Sequence, residues 1–328
     1  APVRDLAVVV VLDEHDESLR EERVPTWNAR DIAIERARRA GVPCVLTSPC
    51  PSLEALAWGS EAIPPRAEES AGWPFLDVVD RRDEDPVRWG LLGEALTPIL
   101  RRDWEDREAA ARLPVVCVLN RRGRSRLLAC VGCGELARCE EHRVPLSLTD
   151  DEVLECPVDG GRRPVVCAEC GSMRFRNLRA GVTRVREELE ALAGRPVVEV
   201  TAESDAGEIA GADVYVGTEA VLHRVDRAAR VVFLEFDQEL LAPRMRAAEQ
   251  AMALLVRAAR LVGPRSDGGR LVVQTRQPGH EVLQAALHAD PGRLIEPEEA
   301  RRRLLRLPPF SAVAQVSGAV AAEFIERL

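Results

Sequence analysis

The sequence predicts an α/β protein that carries an inserted zinc-binding module. Short β-branched strands alternate with amphipathic helices at both ends of the chain. Six of the nine cysteines crowd between Cys130 and Cys170. Four of those six form two Cys-x2-Cys pairs, the spacing of zinc knuckles.

The elements follow in order. Leu6 to Leu12 is a continuous apolar run, as expected for a strand buried on both faces. Asn28 caps a helix from Ala29 to Ala40, and Gly41 stops it. Val42 to Thr47 reads as a second strand, and Ser52 opens a short helix. From Glu61 to Pro86 the chain is rich in Pro and acid, broken only by Phe75 to Val79, and reads as a linker. Trp89 to Leu100 is helical in pattern, and Pro114 to Leu119 is a strand that runs into the cysteine segment. Beyond it, Thr183 to Ala193 is a helix, and Val197 to Thr201, Val214 to Gly217 and Val231 to Phe236 are strands. Met245 to Leu261 is a long helix with an apolar stripe and an arginine face. Leu271 to Thr275 is a further strand.

Composition narrows the function. The chain has 328 residues, 46% hydrophobic and 30% charged, which is ordinary for a globular protein. Its longest apolar run is far short of the ~20 residues that span a bilayer. No cationic leader opens the chain, so a cytoplasmic location is expected. The chain begins at Ala1 directly on a strand and is read as a piece of a longer protein. It contains no lysine, so no Walker A phosphate loop lies within it. The formal net charge is −9, which argues against coating nucleic acid by charge alone. Between Asn120 and Arg186, however, 13 Arg face nine Asp and Glu. The locally basic segment is the one that holds the paired cysteines.

Cys44, Cys50 and Cys117 are isolated and read as small buried hydrophobes. Cys130, Cys133, Cys167 and Cys170 present four thiolates on two tight turns. Four thiolates close a tetrahedron around Zn²⁺ and leave no open position, so the site is structural. Gly134 and Gly171 follow the pairs, where a turn through positive φ aims N–H groups at sulfur. Between the knuckles lie Cys139-x2-His142 and Cys156-x2-Asp159. This inner set reads either as a second zinc site with mixed ligands or as a decayed site whose loop folds around the first zinc alone.

Taken together, these residues resemble the C-terminal half of the PriA family (primosomal protein N′) of superfamily 2 DNA helicases. The anchors are Leu119-Asn120-Arg121-Arg122-Gly123 before the knuckles, the knuckles themselves, Gly217-Thr218 after a strand, Ala247-Ala248-Glu249 opening the long helix, Val273-Gln274-Thr275, and Leu307-Pro308-Pro309-Phe310. The resemblance implies RecA-like lobes, parallel sheets flanked by helices, with the zinc module inserted. It implies a remnant of a first lobe over 1–60, an inter-lobe linker with a helix over 61–107, a second lobe over 108–290 with the zinc insertion at 124–180, and the start of a C-terminal domain over 291–328. It also implies two zinc ions, the outer on Cys130, Cys133, Cys167 and Cys170, the inner on Cys139, His142, Cys156 and Asp159, where the family has only cysteines.

The nucleotide-contacting motifs depart from the family. Its acidic box Asp-Glu-Glu-His-Asp becomes Leu12-Asp13-Glu14-His15-Asp16, so one acid is missing and Asp13, Glu14 and His15 form a degenerate box. Its Gly-Ser-Ala-Thr-Pro-Ser becomes Thr47-Ser48-Pro49-Cys50-Pro51-Ser52. The Lys-Gly expected after Gly217-Thr218 is absent. The arginine-finger motif is reduced to Leu255-Val256-Arg257-Ala258-Ala259-Arg260, without its Gln or glycines. The family's Walker A segment would lie upstream. The losses fall on nucleotide contacts, so ATP and Mg²⁺ use is not expected and no catalytic residue is assigned.

The resemblance then implies a replication-restart protein that binds single-stranded or branched DNA at forks, works with primosome proteins and loads the replicative helicase, without helicase activity of its own. DNA contact is expected from Arg121, Arg122, Arg124 and Arg126, with Arg174, Arg176 and Arg179. Two alternatives stay open: an active ATP-dependent 3′–5′ helicase with diverged motifs, and a zinc-stabilised interaction module without a DNA role. No membrane association is expected.

Overall fold

The computed structural model describes residues 3–21, 23, 26–84, 91–94, 96–97, 113–119, 128–133, 137–142, 146–149, 153–156, 158–177, 182–201, 204, 211–242, 244–314, 316 and 325–327. Its contacts divide the chain into two compact units. The first holds 1–83, 229–231 and 236–328; the second holds 84–228 and 232–235.

The main strands are β5 (Phe75–Asp80), β6 (Val115–Val118), β12 (Val197–Val200), β13 (Val214–Gly217), β14 (Arg230–Phe233) and β15 (Arg270–Thr275). In the second unit β12, β13 and β6 lie side by side in that order, and in the first β15 lies beside β5. The pairings β12–β13, β13–β6 and β15–β5 are parallel. Every residue of β6 and β13 is buried, as apolar runs in a sheet covered on both faces should be. The α/β expectation is met, and the cysteine segment lies in sequence between β6 and β12.

In the first unit, β1 (Val9–Val11) pairs in parallel with β4 (Cys44–Leu46). Helix α1 (Ala29–Ala40) connects them, capped by the Asn28 side chain accepting from Arg30 N–H and ended by Gly41, as the sequence indicated. Helix α2 (Leu53–Trp58) is capped by Ser52. The expectation that β1 is buried on both faces is corrected: Val8, Val10 and Leu12 alternate onto one face and are exposed, while Val11 on the other face is buried and α1 packs on β1 and β4. The apolar stretch inside the linker reading is also more than linker. Phe75–Asp80 forms β5, in register with Arg270–Thr275. Of the expected helix from Trp89 to Leu100, most lies outside the described residues.

Helix α7 (Ala247–Val262) buries a stripe that includes Ala251, Met252, Leu255, Ala258 and Val262. This is the amphipathic pattern read from sequence, with Arg257 and Arg260 off the stripe. A buried charge cluster ties α2, α7 and α9 (Ile295–Leu304) together. Arg302, fully buried, donates to Glu298 Oε1 at 2.7 Å, to Glu54 Oε1 at 3.1 Å and to Glu249. The i,i+4 spacing of Glu298 and Arg302 hints at one of these pairs, but nothing in the sequence places Glu54 or Glu249 beside them.

In the second unit, α4 (Val182–Ala193) packs on β12 and β13, and its Val185 and Leu189 are buried. Gly217 ends β13 against the Val200 carbonyl oxygen, so close that a Cβ would overlap it. Cys117 is buried within β6, whereas Cys44 and Cys50 of the first unit are only partly buried.

Candidate metal centre and acidic box

The cysteine module is built on two small antiparallel sheets. Strand β7 (Leu128–Cys130) pairs with β11 (Phe175–Asn177), which sets Cys130 opposite Phe175. Strands β8 (Ser147–Leu148), β9 (Val153–Glu155) and β10 (Arg162–Pro164) form a three-stranded meander. Leu128, Ala137, Leu146, Leu154 and Cys156 pack as its small core. So small a core supplies little stability by itself, and metal ligation is the usual supplement.

The four outer cysteines converge. Their sulfurs lie within 4.8 Å of one another. Cys130 Sγ is 3.4 Å from Cys170 Sγ, and Cys133 Sγ is 3.6 Å from Cys167 Sγ. Zinc–sulfur bonds of ~2.3 Å require tetrahedral edges of ~3.8 Å, so the set fits a single ion after a shift of a few tenths of an ångström. The knuckles are shaped for this. Gly171, at φ +70°, turns the chain after Cys170, and its N–H donates to the Cys167 carbonyl. Gly132 N–H points at Cys130 Sγ at 3.3 Å. The backbone N–H of Cys133 leads the groups that hold the Cys130 thiol down at about 6, in the thiolate form that metals bind. This cluster could hold a zinc ion, as the spacing suggested. Gly134 lies outside the described residues.

The inner set converges less completely. Cys139 Sγ and Cys156 Sγ lie 3.6 and 3.7 Å from the same His142 Nδ1. Asp159 Oδ2 is 3.9 Å from that nitrogen. Cys139, His142 and Cys156 form one ligand cluster, and Glu141, His142 and Asp159 form a second that shares the histidine. The His142 N–H and ring together lower the Cys139 thiol, while that thiolate raises His142. Glu141, within ligand reach, was not singled out by the sequence, whose spacing rule looks for paired positions rather than the residue beside one.

Of the arginines expected at DNA, Arg121, Arg122, Arg124, Arg126 and Arg179 lie outside the described residues. Arg174 is exposed just after the second knuckle, and its carbonyl accepts from Val131 N–H at 2.9 Å. Arg176 lies in β11.

The degenerate acidic box, in the first unit, is fully engaged. Glu14 is buried. Its Oε1 accepts from Ser52 N–H at 2.7 Å, and its Oε2 accepts from Ser52 Oγ at 2.8 Å and Arg30 Nη1 at 3.1 Å. Asp13, at φ +52°, receives a two-pronged bond from Arg260, both distances 2.6 Å. That bond holds its carboxyl below the usual range. His15 Nδ1 shares a 2.8 Å hydrogen bond with Ser48 Oγ, and burial lowers its pKa. Asp16 accepts from Ser18 N–H and caps a single helical turn. Ser52, which fixes Glu14, was named as a helix start and as the last residue of the Thr47–Ser52 motif, whereas Arg30, its other partner, carried no signal in the sequence.

A parallel α/β sheet interrupted in sequence by a cysteine module with two metal-ligand clusters defines the class of protein. No family model matches the chain. It is similar over nearly its whole length to named proteins, however. It is 28% identical over 340 residues to the replication restart protein PriA of Bacillus subtilis (strain 168), covering 97% of this chain and 42% of that protein. It is 30% identical over 337 residues to the probable replication restart protein PriA of Mycobacterium leprae (strain TN), covering 98% and 51%. Against PriA of Treponema pallidum (strain Nichols) it is 30% identical over 334 residues, covering 94% and 49%. The chain is thus similar over nearly its whole length to PriA replication restart proteins, as the motif order indicated, and it spans about half the length of the relatives it matches.

Proposed function

We propose that this chain serves replication restart. It binds stalled or branched DNA forks and helps primosome proteins load the replicative helicase, without working helicase activity. The observation that carries the reading is the similarity of nearly the whole chain to proteins named for replication restart. Zinc on Cys130, Cys133, Cys167 and Cys170, with a second ion on Cys139, His142, Cys156 and Asp159, would fold the module and present its arginines. The engaged acidic box supports the absence of ATP hydrolysis. Glu14 faces Arg30 and Ser52 and Asp13 faces Arg260, so both carboxylates that would hold Mg²⁺ are committed elsewhere. Among the described residues no helix is long and apolar enough to cross a membrane.

The active-helicase alternative draws on the contacts that link the motifs: His15–Ser48 and Glu14–Ser52 join the acidic box to the next motif, and Asp13–Arg260 joins it to the arginine motif. One experiment separates the readings. The full-length protein is titrated onto forked and plain duplex oligonucleotides over a range of salt, with DNA-stimulated ATP hydrolysis measured beside it. The proposal expects tighter binding to the fork, affinity that falls as salt rises, and no stimulated hydrolysis. Hydrolysis above background restores the helicase. Absence of salt-dependent DNA affinity leaves the interaction-module reading.

A further inference from the structure

The two ligand clusters offer a metal ion different chemistry, and we infer that the inner one is an exchangeable metal site, in which Cys139, His142 and Cys156 hold zinc and Asp159 closes the coordination as a single carboxylate oxygen. The inference rests on reading both clusters as zinc sites.

The distances support a shared ion. Zinc–sulfur and zinc–nitrogen bonds of ~2.3 and ~2.0 Å at the tetrahedral angle give an S···N edge of about 3.5 Å. The observed edges from His142 Nδ1 are 3.6 and 3.7 Å. Asp159 is held for a one-oxygen role. Gly161 N–H donates to its Oδ1 at 2.9 Å, which leaves Oδ2 facing the histidine. A Cβ at Gly161 would crowd Oδ1 at 3.1 Å, so the turn is shaped around this carboxylate. At 3.9 Å the Oδ2···Nδ1 separation exceeds the ~3.4 Å edge of a compact tetrahedron, so this ligand is the loosest of the four.

Three properties make the site exchangeable. A carboxylate is a harder donor than a thiolate and matches zinc less well. The Asp159 side chain is 43% exposed and His142 29%, so an incoming ligand reaches the ion. Glu141 lies in the same reach and offers a second oxygen that can replace Asp159 during exchange. The outer cluster is partly exposed too, at Cys133 and Cys170, but it lacks the other two features: its four donors are all sulfur, and no carboxylate belongs to its ligand set.

The test follows zinc release from the zinc-loaded full-length protein into excess 4-(2-pyridylazo)resorcinol, a chelator that changes colour on binding the metal. Release is expected in two phases of one equivalent each, the first at least ~10-fold faster, a difference of the size that changes around a metal ligand produce. Asp159→Cys slows the fast phase toward the slow one. Asp159→Ala accelerates it further and checks that the effect belongs to the ligand rather than to the turn. Cys130→Ser removes the slow phase and leaves the fast one. Two equivalents leaving in one phase, or a fast phase unchanged by Asp159→Cys, overturns the inference while leaving two zinc sites. A single equivalent at the start, lost in Cys130→Ser, overturns it as well. A protein that holds no zinc before chelator is added overturns the zinc reading on which it rests.

Discussion

Glu14 separates a structural from a catalytic role for the acidic box. Its side chain and that of Arg30 are 1% and 4% exposed. Removing one partner of such a buried pair strands the other charge and costs ~3–5 kcal/mol. Glu14→Ala also leaves Ser52 N–H and Oγ without their acceptor at the start of α2. At ~2–4 °C per kcal/mol for a unit of this size, the midpoint of thermal unfolding drops by roughly 6–20 °C. Replacing both members with similar-sized apolar residues, Glu14→Leu with Arg30→Met, recovers most of the loss, since a buried ion pair is only weakly stabilising against an apolar substitute. The assay is thermal and urea unfolding of the parent, both single variants and the double variant. A Glu14→Ala protein within ~0.5 kcal/mol of the parent would refute the reasoning, because it would show the carboxylate to be free of structural duty.

Other expectations follow from single contacts. Gly217→Ala presses a methyl group into the Val200 carbonyl and should lower stability by ~1–3 kcal/mol, read as the urea midpoint; a neutral result would mean β12 and β13 separate easily. Asp13→Asn removes a partly exposed pair and should cost under ~1 kcal/mol. Because Arg260 depresses the Asp13 carboxyl, that contribution is present above ~3.9, the unfolded value, and is lost as pH falls through the lower folded value. The parent and Asp13→Asn unfolding curves should therefore converge in strong acid and differ at neutral pH.

The fold was legible where local chemistry decides it. Asn28 and Gly41 bound α1 as read, and the apolar runs at 115–118 and 214–217 are buried strands. The outer ligand set was legible because knuckle spacing alone brings thiolates together. What stayed hidden depends on long-range packing. Phe75–Asp80 carries two acids and sits among prolines, yet its pairing with β15 makes it a sheet strand. The burial of β1 was overread because apolar content does not say whether a neighbour covers it. Apart from the i,i+4 pair of Glu298 and Arg302, the side-chain partners of Glu14 and Arg302 come from positions 16 to 248 residues away, beyond any periodic pattern. Glu141 escaped because it adjoins a ligand pair rather than completing one.

Elemental analysis of freshly purified protein, with Cys130→Ser measured beside the parent, decides whether the cysteine module is a metal centre. Two zinc ions per chain are expected in the parent and one in Cys130→Ser, the inner cluster keeping its ion while the outer loses a ligand. A parent without zinc, or a zinc content unchanged by the substitution, would contradict that expectation.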